Sequence, residues 1–107
     1  MYKAATAYVA ATVEVVERIP RRRAFIADQL LRAATSIPLN IAEGAGEYRR
    51  REKARFYRIA RRSATESAAI LDVLATMQMI DESTFHGQKE LLDRITAMLT
   101  RMAKSFQ

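Results

Sequence analysis

The chain has 107 residues, is half hydrophobic, carries a net charge of +6 and has no cysteine. That length gives one domain with a modest core. Absent cysteine excludes a disulfide framework and thiolate metal sites and fits a reducing, cytoplasmic setting.

No N-terminal signal pattern is visible, and the longest uncharged stretch near the start, Ala4 to Val13, is too short to span a bilayer. With three glycines and two prolines, turns are few. There is no strand-like alternation and no repeat.

The first helix is predicted over about Lys3 to Arg18, stopped by Pro20. Ala5, Val9, Val13 and Val16 give it a core face with Thr12 at the edge. Ala4, Ala7, Tyr8, Ala11 and Val15 widen the apolar arc past half the circumference, so the helix is expected to be covered on two sides. Either another subunit supplies the second cover, or the alanines tolerate exposure.

Arg21, Arg22 and Arg23 form a short basic connection. A long second helix follows, from about Ala24 to Ala45, with Ile26, Leu30, Ala33, Ala34, Ile37 and Ile41 on one buried face. Beside that face runs a polar stripe of Gln29, Arg32, Ser36, Asn40 and Glu43. Pro38 removes the backbone bond to the carbonyl of Ala34 and should kink the helix. Ile37 is a poor N-cap, which favours one kinked helix over two short ones. Gly44 and Gly46 are read as the residues that end it through left-handed or free dihedrals.

The third helix is predicted from about Arg50 to Gln78, with Phe56, Ile59, Ala60, Ser63, Ser67, Ile70, Leu71, Leu74 and Met77 keeping one face. Asp81 or Ser83 caps a fourth helix, with Leu91, Leu92, Ile95, Met98, Leu99 and Met102 turned to the core. Its end, Lys104-Ser-Phe-Gln107, is expected to fray. Similar helix lengths and short loops predict an all-α, up-down antiparallel four-helix bundle, its second helix kinked at Pro38.

The charge is localised. Net charge is +1 over residues 1–48, +7 over 49–62 and −2 over 63–107. Arg51, Arg55, Arg58 and Arg62 follow i, i+4, i+7, i+11, a single stripe, with Arg49, Arg50, Lys53 and Arg61 around it and Tyr48 and Tyr57 beside or among it. Such a ridge raises the local positive potential, and its guanidinium forks suit phosphate oxygens. The same run can instead be a solvated face, with some arginines paired to Glu43 or Glu66 within or between subunits.

Enzyme chemistry has little to stand on. His86 is the lone histidine and lacks the cysteines or clustered carboxylates of a metal site. No arginine precedes it at the spacing of a helical RNase motif. Gly44-x-Gly46 is too short, and on the wrong side of a helix, to cradle phosphate. No carboxylate pair across helices argues for a di-metal site, so neither a catalytic residue nor a cofactor is expected.

Ser36-Ile-Pro-Leu-Asn-Ile-Ala-Glu-Gly44, then Arg55-Phe-Tyr-Arg-Ile-Ala60 and Ser63-x-x-Glu66, resembles the four-helix-bundle family of proteins encoded in intervening sequences of bacterial 23S rRNA genes. Accessory proteins of diversity-generating retroelements share that fold. The resemblance covers nearly the whole chain. It implies a homo-oligomeric ring, typically a pentamer, and for the retroelement branch RNA or DNA and a reverse transcriptase as partners. No activity is established for most other members, so the resemblance implies a fold more than a task. Arg32, Ser36, Asn40, Glu43, Ser63 and Glu66 are the residues most like the family signature. They are read as a structural hydrogen-bond network between the second and third helices, with a pocket as the alternative.

Overall fold

A computed structural model describes all 107 residues. Apolar residues at helical spacing form four helices, α1 (Tyr2–Glu17), α2 (Ala24–Ala45), α3 (Arg50–Thr76) and α4 (Glu82–Ser105), with a 3-10 turn at Arg21–Arg23. They pack as an up-down bundle of 44 × 21 × 19 Å in the cyclic order α1, α2, α3, α4, with α1 diagonal to α3 and α2 diagonal to α4. No helix is long and apolar enough to cross a membrane.

Leu30, Ile37, Leu71, Leu74, Leu92, Ile95 and Leu99 are fully buried at the centre. Each such side chain stabilises the fold by roughly 1.5–3 kcal/mol relative to exposure. The α2 core face is the predicted one, and the helix runs unbroken through Pro38, which is itself buried.

Two core stripes are rotated from expectation. On α1 the buried residues are Ala5, Tyr8, Thr12 and Val15, while Val13 is exposed and Val9 and Val16 are half-buried. Thr12 can go inside because its hydroxyl donates to the Tyr8 carbonyl at 2.8 Å. On α3 Ala54, Tyr57 and Ala64 are buried where Phe56, Ile59 and Ser63 are only half-buried.

The helix ends supply three further findings. Asp81 caps α4, accepting from the Thr84 backbone N–H at 2.7 Å, and that bond holds its carboxyl below the usual range. The glycines do not act as left-handed terminators: no glycine has a positive φ, and Gly44 lies inside α2. The left-handed residue is Gln78, at φ 58°. Its N–H bonds Ala75 O and the Met79 N–H bonds Leu74 O, the double closure of a Schellman motif.

The C-terminal turn, expected to fray, is packed against α3. Phe106 packs on Tyr57 with ring centroids 5.9 Å apart, beneath Arg50 and Lys53. Phe106 continues the α4 apolar spacing through Leu99 and Met102, a signal the sequence already held.

Candidate nucleic-acid interface

α3 begins at Arg50 beside the ends of α2 and α4, so its basic first turns meet two helix C-termini. Local packing then sorts the eight cations of residues 49–62. Lys53 donates to the carbonyls of Gly44 and Ala45 at 3.1 and 3.2 Å, closing the end of α2, where a cation also meets the negative pole of the helix dipole. Arg50 bonds the carbonyl of Ser105 and stacks on Phe106 at 5.1 Å. Arg61 is half-buried and reaches the Thr100 hydroxyl at 3.5 Å. Arg55 pairs with Glu52 at 3.2 Å and lies over the Phe56 ring. Four of the predicted ligand-binding cations therefore hold the bundle together or are neutralised.

Arg49, Arg51, Arg58 and Arg62 remain, all exposed and in no ion pair. Arg51, Arg58 and Arg62 share one stripe of α3. Arg51 and Arg58 also border a shallow hollow with Glu52, Ala54 and Gln107. Tyr48 is 98% exposed beside this strip, whereas Tyr57 is buried in the core and takes no part. Its burial pushes the phenol pKa up. The pairing of ridge arginines to Glu43 or Glu66 does not occur within the chain: the ion pairs are Arg55–Glu52 and Lys89–Asp72, and His86 stands 3.6 Å from Glu82. In the second basic patch Arg21 and Arg22 are exposed, while Arg23 is half-buried with its Nε unpartnered.

The polar stripe divides as well. Asn40 Nδ2 donates to Ser36 O and Oγ at 2.8 and 3.0 Å, and Ser36 Oγ meets Ser63 Oγ at 2.8 Å. Ser63 Oγ donates onward to Ile59 O at 3.2 Å. Asn40, both serines and the Ile59 carbonyl thus form one connected hydrogen-bond chain, in which either serine hydroxyl can donate to the other. Asn40 thus bonds Ser36 O, not the Ala34 carbonyl that Pro38 frees. Arg32, Glu43 and Glu66 are exposed and stand outside this network. No histidine or lysine bonds either serine, so neither hydroxyl has an activating base. His86 is exposed beside Glu82 on α4.

The fold and this strip define a small all-helical bundle with one cationic edge. Residues 1–101 match the model of the 23S rRNA-intervening sequence protein family, and the chain belongs to that family. The fold is also that of a protein with unknown function from the S23 ribosomal protein family of Bacteroides thetaiotaomicron VPI-5482. That crystal structure aligns at TM-score 0.90 over 96% of this chain and 97% of that one, with 21% sequence identity. No curated protein matches the chain.

Proposed function

We propose that the protein is a non-enzymatic homo-oligomeric scaffold that binds RNA or DNA through Arg51, Arg58 and Arg62. The observation that carries this reading is their isolation: three exposed guanidinium groups on one stripe, none paired with a carboxylate. A cationic edge whose guanidinium groups are left unpaired attracts a polyanion, and each fork can hold a phosphate. Seven residues separate Arg51 from Arg58, about 10 Å of helix at 1.5 Å per residue. That is close to three nucleotide rises of roughly 3.4 Å along one strand. The family's name ties its members to 23S rRNA intervening sequences, which makes RNA the first ligand to test.

Oligomerisation is supported by apolar surface left uncovered: Phe25, Leu39, Val13 and Tyr2 are 60%, 65%, 39% and 52% exposed. A ring of five is the assembly that the family resemblance implies, and it would repeat the cationic edge around one axis.

The test is fluorescence anisotropy with short labelled RNA and DNA oligonucleotides, comparing the wild type with the Arg51→Glu, Arg58→Glu, Arg62→Glu triple variant. Wild-type binding and its loss in a variant of unchanged helicity are expected. Equal binding by both overturns the reading. A wild type that binds neither oligonucleotide but captures an acidic protein favours a purely protein-interaction module.

A further inference from the structure

One seam of the bundle is open. α1 and α4 share the thinnest contact of the four neighbouring pairs. Hollows follow one another along it, from Met1 and Met102 at one end to Met79 and Ile80 at the other. Met98 and Arg101 border the first two, Leu91 joins the second to the third, and Val15 and Arg18 join the third to the last, so they form one trough. Composition explains it. Along its middle, Ala4, Ala7 and Ala11 of α1 face Gly87 and Ala97 of α4, side chains too small to fill the gap between the larger ones. The widest part holds about 600 Å³. A Cβ on Gly87 would meet nothing within 4 Å. Gln88, 3% exposed and lining the same stretch, keeps an amide oxygen with no donor.

The same chain carries a ridge that fits. Phe25, Arg32 and Leu39 recur every seven residues on the outer side of α2, a heptad spacing suited to lying on another helix. Glu43, one turn beyond Leu39, is exposed and unpaired, and Arg101 and Lys104 stand exposed on α4.

Heights agree as well. The Ser36–Ser63 bond sets α2 against α3, and the Arg61–Thr100 and Lys89–Asp72 bonds set α3 against α4. Together they put Ser36 level with Met98. α2 and α4 run parallel in an up-down bundle. Counting along them puts Phe25 level with Gly87, Leu39 with Arg101 and Glu43 with Ser105, within about one turn of 5.4 Å. Arg32 falls level with Arg94, where Glu90 and Asp93 are also exposed and unpaired. Copies related by rotation about an axis along the bundle keep both direction and height. Ridge and trough then meet with no axial step, the condition for a closed ring instead of a filament.

We propose that the α1–α4 trough receives the Phe25–Leu39 ridge of a second copy, with Phe25 seated over Gly87 and Leu39 between Met98 and Met102. Glu43 reaches Arg101 or Lys104. This inference rests on the homo-oligomeric reading and supplies its interface.

The chain has no cysteine, so two introduced thiols report contact unambiguously. α2 and α4 are diagonal in the bundle and are not neighbours within a protomer. A Leu39→Cys, Met98→Cys double variant treated with a short bismaleimide is therefore expected to link copies into a ladder that ends at the ring's size. Each single variant should give dimers at most. Independently, Phe25→Glu with Leu39→Glu changes two exposed side chains and should keep native helicity while the mass by light scattering falls to that of a monomer. If the wild type is oligomeric but no ladder forms, or the glutamate variant stays oligomeric, the interface is overturned and the oligomer stands. A monomeric wild type overturns both.

Discussion

Gly44 and Tyr57 are in such close contact that a Cβ built on the glycine would stand 2.8 Å from the ring's Cε1. Below 3 Å something must move, and the Tyr57 ring is itself held by Phe106 at 5.9 Å. The glycine of the Ser36-to-Gly44 motif therefore serves as a place where α3 can press against α2.

Gly44→Ala should lower the melting temperature. Alanine adds about 1 kcal/mol of helix propensity. Overpacking costs about 1–3 kcal/mol. The clash should win, because the ring cannot retreat without displacing Phe106. A circular dichroism melt reads the difference, and an unchanged or raised midpoint contradicts the packing account.

How far the sequence foretold this is clearest from particular residues. The α2 boundaries and core followed from a clean 3.6-residue spacing. The α1 face was misjudged because Thr12 looks polar and three valines look like core; the local bond from Thr12 to Tyr8 O reverses that ranking. Local patterning reads Gly44 as a helix terminator because its tertiary neighbour, thirteen residues on, is invisible to it. Within the candidate site, the spacing of Arg51, Arg58 and Arg62 was legible. The diversion of Arg50, Lys53 and Arg61 into helix ends and cross-helix bonds was not, since it depends on where α2 and α4 stop.

Gln78→Gly should stabilise the fold. Gln78 sits at φ 58° in the α3–α4 turn. A left-handed conformation costs a residue with a Cβ about 1–2 kcal/mol, and glycine nothing comparable. The extra freedom of glycine in the unfolded chain takes back part of the gain. A rise of a few degrees in the melting midpoint is expected; a fall would contradict the turn geometry.

Asn40→Ala and Ser36→Ala should not be additive. The two residues sit in one hydrogen-bond chain, and each loss should cost about 1 kcal/mol. A double-mutant cycle on urea midpoints should show a coupling of at least about 0.5 kcal/mol. Simple additivity would mean that the chain is not a unit.

Tyr8→Phe should be tolerated at neutral pH and should flatten the alkaline limb of stability. The Tyr8 hydroxyl is buried beside Thr12 and Ser67, whose own hydrogens go to backbone carbonyls, and it makes no hydrogen bond of normal geometry. Burial raises its pKa above the ordinary 10.0. With the folded value raised, its contribution is full below the unfolded pKa and is lost as pH climbs through the folded one. Wild-type stability should therefore fall above pH 10 more steeply than that of Tyr8→Phe. Equal slopes would contradict the burial of a neutral phenol.

The cationic edge is tested most directly by the salt dependence of RNA binding. The logarithm of affinity should fall linearly with the logarithm of salt concentration, by about 0.7 per phosphate neutralised on a single strand. Restoring the lost charge one arginine at a time from the Arg51, Arg58, Arg62 triple glutamate variant should steepen that slope stepwise. A slope equally steep in the wild type and the triple variant would contradict the assignment of this strip as the binding surface.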